Sequence, residues 1–145
     1  MLYELLYTSE AVNDFNQQQM LELLNQARTN NQRRGVTGLL IYHKKEFMQL
    51  IEGEKEEILE LWRTIKVDKR HYASKAIYHG AINERGFSDW SIAFQNIDKL
   101  DISKLIGFSD ILTKGFKNDL VAVNPSTTRN LMSSIKNNYL DFSVK

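Results

Sequence analysis

The period of the apolar positions changes repeatedly along this chain, and each change marks an element. Residues 2–9, LYELLYTS, alternate. Tyr3, Leu5, Tyr7 and Ser9 fall on one face of a predicted strand, and Leu2 and Leu6 fall on the other. A helical period takes over in residues 16–31, NQQQMLELLNQARTNN, with Asn16 as N-cap and Met20, Leu23, Leu24 and Ala27 as the apolar stripe. Asn30 and Asn31 close that stretch, where asparagine reads as a C-cap and turn because it tolerates the left-handed conformation. Residues 35–43, GVTGLLIYH, predict a second strand, and 47–53, FMQLIEG, a third. The polar connection Lys44, Lys45 and Glu46 makes the two a hairpin. Residues 52–57 open a second helix whose acidic first turn suits the helix dipole. Ile58, Leu61, Trp62 and Ile65 line one side of it, and residues 68–71 end it. Residues 74–83 and 90–97 predict two more strands. The order is βαββαββ, an α+β fold of the ferredoxin-like kind with two helices crossing one face of a mixed sheet.

The strands are apolar on their other face as well. Leu2, Leu6, Leu39, Ile41, Met48 and Leu50 point away from the two helices, whereas a half-solvated sheet would alternate with polar residues. Something else must cover them. Residues 102–112 and 127–142, the latter after the single proline Pro125, have the pattern to do so. The predicted organisation is a core over residues 1–97 and a helical extension over 98–145 that packs on the sheet as part of the same domain.

Composition narrows the chemistry. A chain of 145 residues suits one domain with a real core. It has no apolar run long enough to span a bilayer, and its start does not read as a signal peptide. The absence of cysteine excludes disulfides, thiolate metal sites and cysteine nucleophiles, and fits a reducing cytoplasm. A net charge of +1 gives no electrostatic case for nucleic acid or membrane as partner. His43, His71 and His79 lack metal-ligand spacing, so no metal site is expected. No glycine-rich phosphate loop follows a strand, and neither Ser9 nor Ser91 has a histidine partner suggested by sequence.

What remains is a polar set on the helix-covered side: Tyr7 and Ser9 late in the first strand, Asn30 and Asn31 at the end of the first helix, Gln49 in mid-strand, and Trp90 opening the last strand. Tyr7, Asn30, Asn31 and Trp90 each have an ordinary structural explanation. Gln49 does not, because an apolar residue would pack there without the cost, about 1–3 kcal/mol, of leaving a buried polar group unpaired. A phenol and three carboxamides supply donors and acceptors but no strong acid or base. That set suits gripping a flat ligand with amide-like edges.

These residues fall in a pattern that resembles the BLUF domain, a flavin-holding blue-light sensor. It is carried by LLYTSEA (5–11), ARTNNQRRGVTGLLIY (27–42), FMQLIEGE (47–54), DKRH (68–71) and RGFSDWSIAF (85–94), in order over residues 2–97. The resemblance implies a photochemical relay: Tyr7 as electron and proton donor to the excited flavin, and Gln49 bridging the Tyr7 hydroxyl and the flavin N5/O4 edge. It implies that Asn30 and Asn31 hold the carbonyl and N3 edge, and that Leu23, Ala27 and Ile65 sandwich the ring. Ser9, Asp68 and His71 join the cofactor-binding set, and Trp90 and Ile92 the signal relay. Family members commonly carry Trp-Ser-Met where this chain has Trp90-Ser91-Ile92. Thr64 stands where some members carry a basic residue, between Arg63 and Lys66, so FAD is expected with FMN and riboflavin as alternatives.

The implied protein is a non-enzymatic photoreceptor of the short stand-alone type, cytoplasmic and a homo-oligomer, signalling to a separate protein partner. A ferredoxin-like module that binds a small ligand or protein without photochemistry is the main rival, and would be colourless. An RRM-like RNA binder would need exposed sheet aromatics and a basic surface, which this chain lacks.

Overall fold

The structure is a computed structural model that describes residues 1–88, 91–97 and the helix 125–139, with side chains of that helix described for 129–138. The expected covering segment 102–112 lies outside the described residues. The elements are β1 (Leu2–Ala11), α1 (Gln17–Arg34), β2 (Thr37–His43), β3 (Glu46–Glu54), α2 (Lys55–Ile65), β4 (His71–Ala81), β5 (Ala93–Asn96) and α3 (Pro125–Tyr139). They build a five-stranded sheet in the order β4-β1-β3-β2-β5. All neighbours are antiparallel except β2 and β5, which run parallel. This is the α+β, ferredoxin-like arrangement that the pattern predicts.

Boundaries differ from the sequence expectation for local reasons. Helix α1 runs three residues past Asn31, so Asn30 and Asn31 are not its cap. Gly35 is, in the left-handed conformation at φ 68°, with its N–H donating to the last turn. Its start follows expectation: Asn16 and Gln19 exchange side-chain-to-backbone bonds in a capping box. The hairpin loop is two residues, Lys44 and Lys45, both at positive φ, and Glu46 already pairs with His43 and Glu10. Residues 52–54 remain in β3, and α2 starts at Lys55. Glu52 is 1% exposed, where a helix start would be solvated. It accepts from the Thr37 hydroxyl and from the N–H groups of Gly86 and Phe87. His71 opens β4 rather than ending α2, which stops at Ile65. The fifth strand is only Ala93–Asn96, and just before it the Ser91 carbonyl accepts from the Asn31 side chain.

Both faces of the sheet are covered. On one, α2 packs Ile58 and Leu61 against Tyr3, Leu5, Tyr7 and Ile51. Beside it, α1 packs Met20 and Leu24 against Leu40, Tyr42 and Phe47. On the other face Leu131, Met132 and Ile135 of α3 close over Leu6, Leu39, Ile41, Met48 and Leu50. Each such side chain taken from water contributes about 1.5–3 kcal/mol. Leu2, expected on this face, is half-buried.

Candidate functional site

The two helices share one sheet face but pack into separate clusters, and a cleft opens between them. Its floor is set by register. Tyr7 of β1 pairs with Gln49 of β3, and Gln49 pairs with Leu40 of β2. These three side chains therefore stand in a row across the sheet. Leu23, Ala27, Asn30 and Asn31 of α1 line one wall, and Leu61, Thr64 and Ile65 of α2 the other. Counting the open space at its mouth, the cleft encloses about 800 Å³.

At the floor the Tyr7 hydroxyl donates to Gln49 Oε1 at 2.5 Å, both residues being buried. The Tyr7 ring packs against Trp62 at 5.0 Å between centroids. Burial pushes the Tyr7 phenol well above its usual pKa; the Asp68 charge adds to this and Arg70 offsets part of it. Tyr7 is therefore a neutral O–H donor across the physiological range. Gln49 Oε1 is occupied, and its amide NH₂ bonds to no other group among the described residues. That answers why a glutamine sits in an apolar strand: one end is held by Tyr7, and the other is offered to the cleft it lines.

Asn31, 3% exposed, donates from Nδ2 to the Ser91 carbonyl at 2.7 Å and so ties α1 to the segment before β5. Ile92, next along that segment, is fully buried and lines the cleft. Asn30 lines it as well, with its Oδ1 accepting from Arg33 at 3.2 Å.

Residues just before β4 also line the cleft. Arg70 Nη2 binds Asp68 Oδ2 at 2.5 Å and its Nη1 reaches Gln26 of α1 at 3.1 Å. The hydrogen bonds from Arg70 hold the Asp68 carboxyl below its ordinary 3.8, so this clasp is complete above that pH and is lost on acidification below it. His71 also lines the cleft. Its Nε2 donates to the Ile65 carbonyl at 2.5 Å, and its Nδ1 lies 2.6 Å from Ser9 Oγ.

The structure thus brings together Tyr7, Leu23, Ala27, Asn30, Asn31, Gln49, Ile65, Asp68, His71 and Ile92 around one cleft. Ser9 does not line it; fully buried, it stands behind His71. Trp90 lies outside the described residues. Sequence reasoning missed Phe15, Gln26 and Arg70. The arginine sits between Asp68 and His71 in the DKRH stretch, but only the fold carries it across to Gln26.

Comparison with known proteins bears on this cleft. The family described as "BLUF: Sensors of blue-light using FAD" matches residues 2–93. The photoactivated adenylate cyclase subunit beta of Euglena longa is 32% identical over 101 residues, 68% of this chain and 12% of that protein. The chain therefore spans only a small part of that relative's length. Among solved structures, BlsA in its ground state superposes with a TM-score of 0.77 at 27% identity, covering 92% of this chain and 88% of that one. BlrB in its dark state gives 0.74 at 26% identity, covering 92% and 96%. With the family match running through every strand up to β5 and a tyrosine bonded to a glutamine at the cleft floor, the chain belongs to the BLUF family of blue-light sensors that use a flavin.

Proposed function

We propose that the flavin ring lies between α1 and α2 on the Tyr7–Gln49 floor, and that the chain is a receptor without catalytic activity whose lit state is read by a separate protein. The observation that carries this is the Tyr7–Gln49 hydrogen bond, buried at the floor of a cleft that both residues line.

The residues present fit a flavin. The Gln49 NH₂ has no acceptor among the described residues, which suits a ring nitrogen and a carbonyl side by side. Asn30 and Asn31 are placed for the adjoining carbonyl and imide N–H, and Leu23, Ala27 and Ile65 offer apolar walls to a flat ring. Asp68 and His71 stand toward the outer end. FAD is the form the family's description names; FMN and riboflavin share the same ring.

A bound flavin supplies absorption of blue light and, once excited, a ring that accepts an electron. Tyr7 is the donor within the cleft. Its phenol is neutral in the ground state, so its oxidation releases a proton as well as an electron. Gln49 Oε1, already holding that proton in a hydrogen bond, is the first atom to receive it. When electron and proton return to Tyr7, the Gln49 amide is left turned or tautomerised, and its hydrogen bonds into the cleft differ from before. The Ser91–Ile92 segment, tied to Asn31, and α3 across the sheet carry the change outward to the partner.

Purification tests the premise. The protein is expected to be yellow and to release equimolar flavin on denaturation, since it has no cysteine to hold flavin covalently. A colourless protein that takes up no added flavin contradicts the reading.

A further inference from the structure

Three non-glycine residues among those described stand at positive φ. Lys44 and Lys45 form the hairpin loop, where such angles turn the chain. Ala73 is different. It lies inside β4 at φ 54° and is exposed, so packing of its methyl group does not account for the strain. Beside it the Ser74 hydroxyl is buried without a hydrogen-bond partner among the described residues. Both costs fall at one place in the β1–β4 ladder. Thr8 pairs with Lys75 and Glu10 with Tyr72, so Ala73 and Ser74 together stand opposite the single residue Ser9. This is a β-bulge.

A bulge changes which side chains face which way. Tyr7 pairs with Ala76. Counting on from there without the extra residue, Ser74 would stand opposite Ser9, and Tyr72 opposite Ala11 on the cleft side. With it, His71 takes the place opposite Ala11, and Tyr72 is turned to the other face, 52% exposed. His71 thereby arrives among the residues of the relay. Its ring stands edge-on to the Tyr7 ring, with centroids 6.3 Å apart at 65°, and edge-on to Phe47 at 6.5 Å. Its ring nitrogens hold that pose through the Ile65 carbonyl and the Ser9 hydroxyl. Tyr7 thus meets two rings, Trp62 of α2 and His71 of β4.

We propose that Ala73 is a positioning residue for the light reaction: its left-handed bulge turns His71 into the cleft, and His71 fixes the Tyr7 ring whose hydroxyl is aimed at Gln49. This rests on the flavin occupying the cleft.

The test combines NMR with flash spectroscopy on the flavin-loaded protein. In the wild type the ring protons of His71 and Tyr7 are expected to show a mutual contact, and its absence overturns the proposal whatever the variants do. Ala73→Gly keeps the left-handed angle and is expected to keep both the contact and the dark recovery. Ala73→Val disfavours that angle, and deletion of Ala73 closes the bulge. Each is expected to lose the contact and to change dark recovery by about tenfold. His71→Ala is expected to change recovery likewise, and in that background the changes at Ala73 are expected to have no further effect. Three results overturn the proposal: a deletion protein that retains the ring contact, wild-type recovery in His71→Ala, or an Ala73 effect of equal size with and without His71. A wild type with neither flavin nor light response overturns the cleft reading as well.

Discussion

Gln49 has one end fastened to Tyr7 and lines the cleft, and removing it is expected to separate binding from photochemistry. Gln49→Leu takes away the acceptor of a buried hydroxyl, which costs about 1–3 kcal/mol and is expected to lower the melting temperature by several degrees. Flavin is expected to stay bound, because the apolar walls and the Asn30 and Asn31 carboxamides are untouched, while the light response disappears. A Gln49→Leu protein with a full response contradicts the relay. Ile92 belongs to the same scale. It is buried at the cleft and offers shape and stiffness but no acceptor. Ile92→Met is expected to keep the light response and change dark recovery severalfold, because a 1.4 kcal/mol change in the barrier to turning the amide back alters the rate about tenfold. Recovery after a blue flash in wild type, Ile92→Met and Ile92→Ala decides it, and identical recovery in all three reduces Ile92 to plain packing. Gln49 stood out in the sequence because a glutamine in an apolar strand has few ordinary explanations, whereas Tyr7, which has an ordinary one, stood out only through the family resemblance. Arg70 and Gln26 did not, since a polar residue on a helix or a turn looks the same whether or not it meets a partner 44 residues away.

At the scale of elements, two sites decide whether the layers hold together. A Cβ at Gly38 would fall 2.0 Å from the backbone carbonyl oxygen of Leu50, which cannot move without breaking the β2–β3 ladder. Gly38→Ala is expected to cost about 4 kcal/mol or more, read by urea unfolding; a loss under about 1 kcal/mol would mean that the strands separate easily there. The second site is the contact of α3 with the sheet through Arg129 and Glu4. Glu4 lies directly across from Glu52. Burial holds its carboxyl above the usual 4.5; Arg129 pulls it down and Glu52 pushes it up. A raised carboxyl favours the folded state most below pH 4.5 and loses that contribution as the pH climbs through its folded value. Arg129→Ala removes the cation that offsets this at neutral pH. It is expected to destabilise the protein more at pH 7 than near pH 4, where protonation of Glu4 removes the need for the cation. Adding Glu4→Gln is expected to recover most of the loss, and an equal loss at both pH values contradicts this account. Existence and order of the elements through β5 were legible from periodicity. Their ends were less so: Glu52–Glu54 look like a helix start but are held in the sheet by Thr37, Gly86 and Phe87, and the loop of Lys44 and Lys45 lacks the asparagine or glycine that usually marks positive φ.

For the whole molecule, the sheet divides two tasks. One face holds the cleft, and the other is closed by α3. The need for that cover was readable from strands apolar on both sides, although the sequence alone could not say that Arg129 would land on Glu4. No helix among the described residues is long and apolar enough to cross a membrane. The central claim is that light resets the hydrogen bond between Tyr7 and Gln49 without consuming the flavin, and the absorption spectrum of the purified protein tests it most directly. Spectra taken in the dark and under blue light should show a small red shift of the flavin band, with the oxidised band intact, that reverses in darkness and is absent in Tyr7→Phe. A spectrum unchanged by light, a bleached band in place of a shift, or a full shift in Tyr7→Phe would contradict it.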